Sequence, residues 1–237
     1  MRFLVRAGAI VAAAVLAAAP FAALAGAWPR AEGEVFLSFG QQVSTGARTL
    51  LAATADIRSW SSLYAEYGLT DRLTLGLDAG LGQGQDERVE AALVFARLPV
   101  WSPGEHRVAV DLGLGTLAAT GEGRQTRLRA GLAWGRGLAE GRWGGGWLGM
   151  ESSLELREPA GGVAVKADFT AGWKPNDRWM VIAQVQTGYY SDAGGIVRLA
   201  PSVVRRTSAR SHLQLGASAE VAGASALGLS AAMWFSF

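Results

Sequence analysis

The sequence predicts an all-β protein: a closed antiparallel transmembrane β-barrel of about twelve strands, with ten or fourteen as the alternative counts. Three observations predict it. Apolar and polar residues alternate with period two over long stretches. The alternating segments run about 9–12 residues, the length a tilted strand needs to cross a bilayer, whereas strands of soluble sheets are nearer roughly 5–6. Beyond residue 25, no window approaches the run of roughly 18 apolar residues that marks a membrane helix.

The alternation is clearest in four places. Leu73, Leu75, Leu77, Ala79 and Leu81 share one face, and Thr74, Gly76, Asp78 and Gly80 the other. Val108, Val110, Leu112 and Leu114 alternate with Ala109, Asp111 and Gly113. Val163, Val165, Ala167, Phe169 and Ala171 alternate with Ala164, Lys166, Asp168 and Thr170. Leu213, Leu215, Ala217, Ala219 and Val221 alternate with Gln214, Gly216, Ser218 and Glu220. A helix would scatter these ionised groups around its circumference, but a strand gathers them on one face. In a membrane barrel the apolar face meets lipid and the polar face lines the lumen; in a soluble sandwich the apolar face is core.

The N-terminus predicts export. Arg2 and Arg6 precede an apolar, Ala-rich stretch from Ala7 to Leu24, which closes on the small-x-small pattern Ala23-Leu24-Ala25. Residues 1–25 read as a signal peptide cleaved after Ala25, in preference to a retained anchor. Residues 26–33 are then a periplasmic N-terminal segment and residues 34–237 the barrel. The net charge is +2. Removing the leader takes away two arginines and no acid, so the mature chain is neutral, without the basic excess of a nucleic-acid binder. There are no cysteines to form disulfides, so a large core or a closed hydrogen-bonded barrel must hold the exported chain.

Strands are expected at 34–43, 58–69, 72–83, 88–98, 107–118, 125–136, 146–157, 162–173, 179–190, 196–206, 211–222 and 226–237. An even count puts both termini at the periplasmic end. The first surface loop, 44–57, is the only long one. The stretches 99–106 and 137–145 are expected as periplasmic turns, the second with the glycine string from Gly135 to Gly146, which carries no nucleotide-binding fingerprint. Trp60, Tyr64, Tyr67, Trp101, Trp134, Trp143, Trp147, Trp173, Trp179, Tyr189, Tyr190 and Trp234 lie mostly near strand ends, as interfacial girdles require.

The chain closes on Met233-Trp234-Phe235-Ser236-Phe237, with Met233, Phe235 and Phe237 on one face. This ending resembles the C-terminal signal of bacterial outer-membrane proteins. That resemblance implies recognition of Phe235 and Phe237 by the barrel-assembly machinery, and outer-membrane lipid and lipopolysaccharide as surroundings. The hairpin Glu66 to Leu77 also resembles small outer-membrane barrels of the phenol-degradation-pathway transporter type, without carrying any functional residue.

The expected lumen-lining residues are Glu66, Asp78, Asp111, Arg127, Arg129, Glu151, Glu155, Lys166, Asp168, Gln184, Gln186, Arg198 and Glu220. Opposite charges sit on neighbouring strands. They form either a rigidifying ion-pair lattice or a narrow pore that orients small polar solutes. Interior Gly76, Gly80, Gly113, Gly131, Gly216, Gly228 and Ser230 leave room. No catalytic residue is assigned. His106 and His212 both fall at the periplasmic end, away from outer-leaflet lipid, and Ser211 points to the opposite face from His212. No metal site or cofactor is expected, since two histidines without cysteine cannot build the common zinc arrangements. The expected state is a monomer, although lipid-facing Ala217, Ala219 and Ala231 offer a flat strip for a partner.

Overall fold

The computed structural model describes residues 26–47, 56–142, 144–159, 161–191 and 193–237. The expected leader, most of the long first loop and Trp143 lie outside them.

Twelve antiparallel strands close on themselves: β1 (Val35–Gly46), β2 (Arg58–Thr70), β3 (Leu73–Gln83), β4 (Arg88–Trp101), β5 (His106–Ala119), β6 (Gly123–Gly141), β7 (Gly144–Glu158), β8 (Gly162–Asn176), β9 (Trp179–Tyr190), β10, β11 (Ser211–Ala222) and β12 (Ala226–Ser236). β10 has two segments, Gly194–Leu199 and Ser202–Arg206, both lying between β9 and β11. Pro201 lacks an N–H and interrupts the ladder. The register nevertheless crosses the break, with Leu199 opposite Val185 and Ser202 opposite Ile182. β1 and β12 pair from Phe36↔Ser236 to Gly46↔Ala226 and close the barrel. The predicted all-β barrel of twelve strands is therefore the observed fold.

The start of β1 and the end of β12 lie at one end of the barrel, called proximal here; the other end is distal. The proximal hairpins are taller than expected. β6 spans 19 residues and β7 spans 15, and most of the stretch 137–145 is ladder rather than turn, with Gly137↔Trp147 and Leu138↔Gly146 paired. The glycines there suggested a loop, but backbone pairing needs no side chain and the ladder runs on to Gly141↔Gly144. Likewise β4 and β5 take up half of 99–106, leaving 102–105 as the turn.

The outer surface is apolar around the barrel. Phe39, Val94, Leu112, Leu128, Leu154, Phe169, Val185, Leu215 and Leu229 all stand exposed, Leu112 at 70%. A continuous belt of this kind is not tolerated in water and is the lipid face of a transmembrane barrel.

Six of the girdle aromatics point outward: Tyr67, Trp101, Trp173, Trp179 and Tyr189 are exposed, and half-buried Trp134 shares their outward parity. Trp60, Tyr64, Trp147, Tyr190 and Trp234 instead face inward, because strand parity, not nearness to a strand end, decides the side. These inward rings take the space that the small residues were expected to leave open. A Cβ on Gly76 would strike the Phe95 ring, one on Gly80 the Trp60 indole, and one on Gly172 the Trp147 indole. Gly76↔Phe95 and Gly172↔Trp147 are direct cross-strand partners, so each glycine is the seat of an aromatic ring. Gly80→Val is expected to lower stability by about 1–3 kcal/mol through overpacking against Trp60. The check is the urea midpoint of the refolded barrel, and an unchanged midpoint would show that the indole moves aside freely.

Candidate functional site: the charged belt of the lumen

The lumen is stratified. The proximal layer is apolar, with Phe36, Trp147, Met180, Ile182, Val204, Ala232 and Trp234 packed together and Trp28 and Tyr64 against them. The distal layer is also apolar: Trp60, Val89, Leu117, Ala164, Tyr190 and Ile196. Between them lies a belt of charged and amide side chains.

All thirteen polar residues proposed from the sequence point inward, and strand alternation is the reason. β7 sends Glu151 and Glu155 inward with Trp147, and β8 sends Lys166 and Asp168 inward with Ala164. Glu66 is the hub. Arg30 Nε lies 2.7 Å from its Oε2, Arg97 Nη1 lies 2.7 Å from its Oε1, and Tyr64 donates its hydroxyl proton to the same Oε1 at 2.6 Å. From Arg97 the chain of charges continues to Asp111 at 3.7 Å, thence to Arg129 at 3.3 Å and Asp78 at 3.9 Å. Arg97 and Arg129 also flank the Phe95 ring, at 5.0 and 5.1 Å from its centroid.

A second cluster joins Arg127 to Glu155 at 2.6 Å and Arg157 to the other oxygen of Glu155 at 2.9 Å. The Arg157 guanidinium in turn lies over the Tyr190 ring. A third pair, Arg198–Glu220 at 3.4 Å, sits near the distal mouth. Gln184 donates to Thr170 at 3.1 Å, whereas neither amide atom of buried Gln186 has a hydrogen-bond partner in the protein. Tyr190 Oη, Trp60 Nε1 and the Nε atoms of Arg127 and Arg129 also lack one. Such atoms in a polar lumen are positions for ordered water or a polar solute.

Sequence reasoning missed Arg30, Arg97 and Arg157 in this belt. Arg157 carried a usable signal, since it shares parity with Glu151 and Glu155. Arg97 carried none, because in Val89-Glu90-Ala91-Ala92-Leu93-Val94-Phe95-Ala96 apolar residues occupy both faces. Arg30 lies before the first strand.

The open space is discontinuous. A central cavity of about 100 Å³ is lined by Asp78, Arg97, Asp111, Arg127, Arg129, Glu151, Glu155, Lys166 and Asp168 among others, room for a few water molecules. Trp60 lines both this cavity and a distal vestibule of about 290 Å³ that holds Gln42, Arg58, Glu87, Arg198 and Glu220. Trp60 is thus the partition between them. Toward the proximal end, Glu151 and Thr170 line both the central cavity and a crevice of about 10 Å³ bounded by Gly26, Ala27, Trp28 and Trp147. Beyond the proximal layer lies a recess of about 520 Å³ with Arg142, Lys174, Arg178, Arg206 and His212.

Both histidines sit at the proximal end. His106 Nδ1 accepts a hydrogen bond from Trp134 Nε1 at 3.2 Å, and the His212 ring lies tilted beside Trp234, with centroids 6.3 Å apart. The Ser211 hydroxyl is engaged with Thr207 and Ser208. Among the described residues, no group of three or more His, Asp or Glu is placed to hold a metal ion. Phe235 and Phe237 stack on the lipid face with ring centroids 6.5 Å apart.

No protein-family model matches the chain, and no curated protein does. Solved structures do. The chain is similar to the NanC porin (TM-score 0.60, 9% identity, covering 84% of this chain and 98% of that one). It is similar also to the COG4313 outer membrane channel from Pseudomonas putida F1 (TM-score 0.59, 11% identity, 88% and 96% covered). A third is the beta domain of the Bordetella autotransporter BrkA (TM-score 0.54, 13% identity, 87% and 99% covered). At these identities the likeness is one of fold: the chain shares its closed antiparallel β-barrel with these porin, channel and autotransporter structures.

Proposed function

We propose that this protein is an outer-membrane channel for small polar solutes, held in a constricted state by the two apolar layers of its lumen. One observation carries the reading. Among the described residues, a barrel bathed in lipid has devoted its interior to at least seven cations and seven carboxylates, several with polar atoms unengaged by protein. A barrel that served only as a plug in the membrane gains nothing from burying so much charge, since a well-packed apolar core of equal volume is at least as stable. Paired charges across a narrow passage orient a polar solute without trapping it. The porin and channel named above are passages in the same fold. The proximal end then faces the periplasm, Phe235 and Phe237 serve as the assembly signal, and the barrel sits among outer-membrane lipid and lipopolysaccharide as a monomer.

A second reading has its own observation. The central cavity is only about 100 Å³ and Trp60 closes it distally, as in a structural barrel with a plugged lumen.

Single-channel recording of the refolded mature protein in a planar bilayer separates the two. Discrete conductance steps are expected, with ion selectivity shifting toward cations in the Arg127→Glu, Arg129→Glu double variant. Silence from a barrel of verified insertion would replace the channel by the structural barrel.

A further inference from the structure

The residues ahead of β1 do not hang below the barrel as a free periplasmic segment. They turn back into its lumen. Gly33 N donates to Gly68 O at 2.8 Å and Gly68 N to Glu34 O at 2.9 Å, which pins the entry against the end of β2. Arg30 then reaches Glu66, while its own backbone N–H donates to Thr74 Oγ1 at 3.2 Å. Trp28 packs on the proximal apolar layer. Ala27 is 1% exposed, and Gly26 is buried as well.

The barrel wall is shaped to receive this strap. A Cβ on Gly68 would collide with the carbonyl of Ala31, and one on Gly135 with the ring of Trp28. Two strand glycines, on β2 and β6, therefore open the groove in which it lies.

The strap ends beside a carboxylate. Glu151 Oε1 is 2.7 Å from the position a Cβ on Gly26 would take. Across the β7–β8 ladder, Glu151 stands directly opposite Asp168, whose Oδ1 is buried without a hydrogen-bond partner. Two carboxylates at one cross-strand position repel, more so in a confined lumen. Five other lumen carboxylates, Glu66, Asp78, Asp111, Glu155 and Glu220, each have an arginine within 4.0 Å. Arg97 acts on Glu151 from a distance but makes its short contact, 2.7 Å, with Glu66, so a cation placed directly at Glu151 would add to the charge balance there.

The Ala23-Leu24-Ala25 motif predicts cleavage at the bond that would make one. Water hydrolyses the Ala25–Gly26 amide, Ala25 departs with the new carboxylate, and Gly26 keeps the amine, which takes up a proton near neutral pH. We propose that this new α-ammonium on Gly26 pairs with Glu151 inside the lumen, so that removal of the leader latches residues 26–33 as an internal strap across the proximal half of the barrel. The inference rests on cleavage after Ala25 and on the strap, not on conduction.

The test is chemical labelling of the barrel purified from outer membranes, folded in detergent, with a small amine-acetylating reagent near neutral pH. Mass spectrometry reads the N-terminal peptide. Exposed Lys174 on β8 is the internal control, since the chain has only two lysines. The mature peptide is expected to begin at Gly26, with its α-amine labelled at least tenfold (about 1.4 kcal/mol of protection) more slowly than in urea-unfolded protein. Glu151→Gln is expected to bring the rate most of the way to the unfolded value. If that variant does not fold, a refolded chain carrying Ala-Ala ahead of Gly26 takes its place. Its amine is displaced from Glu151 and is expected to label rapidly. A mature N-terminus elsewhere, wild-type labelling at the unfolded rate, or protection that persists in Glu151→Gln or in the extended chain would each overturn the proposal. All are readable whether the bilayer is silent or conducting.

Discussion

Glu66→Ala is expected to cost the barrel about 3–5 kcal/mol, because it takes the shortest partner from two buried guanidinium groups at once, leaving Arg97 with Asp111 at 3.7 Å and Arg30 with the more exposed Glu34 at 3.2 Å. Arg30 and Arg97 each meet a different oxygen of this carboxylate at 2.7 Å, and the Tyr64 hydroxyl shares one of them. Glu66 itself is 2% exposed and Arg97 4%, so bulk water does not replace the lost partner. The Arg30 contact also ties the strap to the wall, so the loss spreads beyond β2. Urea unfolding of the refolded barrel, followed by tryptophan fluorescence, measures it. Glu66→Gln keeps the shape and one acceptor and is expected to lose less. The combination Glu66→Leu, Arg97→Met removes both charges of the more deeply buried pair and is expected to recover part of the deficit, since cost here comes from the orphaned ion rather than from the missing attraction. A Glu66→Ala midpoint within error of wild type would mean that the arginines find solvent or other carboxylates, and the hub would be no hub.

The proximity of Glu66, Arg97 and Asp111 marks where sequence reading stops. The strands were legible because a lipid-facing row such as Leu73, Leu75, Leu77, Ala79 and Leu81 permits one face only, and a slip of one residue would turn Asp78 into the bilayer. The same parity carried Asp78, Asp111, Arg127 and Glu155 inward without any knowledge of their neighbours. Parity fails where both faces are apolar, as in β4, because an inward Leu93 or Phe95 looks like an outward one. Hence the apolar layers above and below the belt were invisible, and with them the filling of the lumen. Glycine was ambiguous for a related reason. Gly76 and Gly80 signal only that something comes close, and whether that is solvent or the ring of Phe95 or Trp60 depends on the register and side-chain direction of the neighbouring strand. The strap is the extreme case. Residues 26–33 have no period, and only the closed barrel gives them an inside to enter.

Those apolar layers fix the last expectation. Trp60 separates the central cavity from the distal vestibule, and Trp28 with Trp147 separates the central cavity from the proximal side. Two constrictions in series behave as resistances in series, so widening one leaves current governed by the other. Trp60→Ala alone and Trp28→Ala alone are each expected to change unitary conductance less than about twofold, while the double variant raises it several-fold, well beyond the product of the single effects. The stability cost of Trp60→Ala should fall at or below the low end of the usual range of about 3–5 kcal/mol for a buried aromatic. Its indole seats on Gly80 and borders two polar cavities, so water enters the space it leaves instead of a dry void forming. A Trp60→Ala channel that alone conducts several-fold better would place the sole constriction distally and relieve the strap of any part in closing the lumen. A double variant no more conductive than wild type would instead make the charged belt itself, with Arg97, Arg129 and Asp111 linked across it, the barrier to flow.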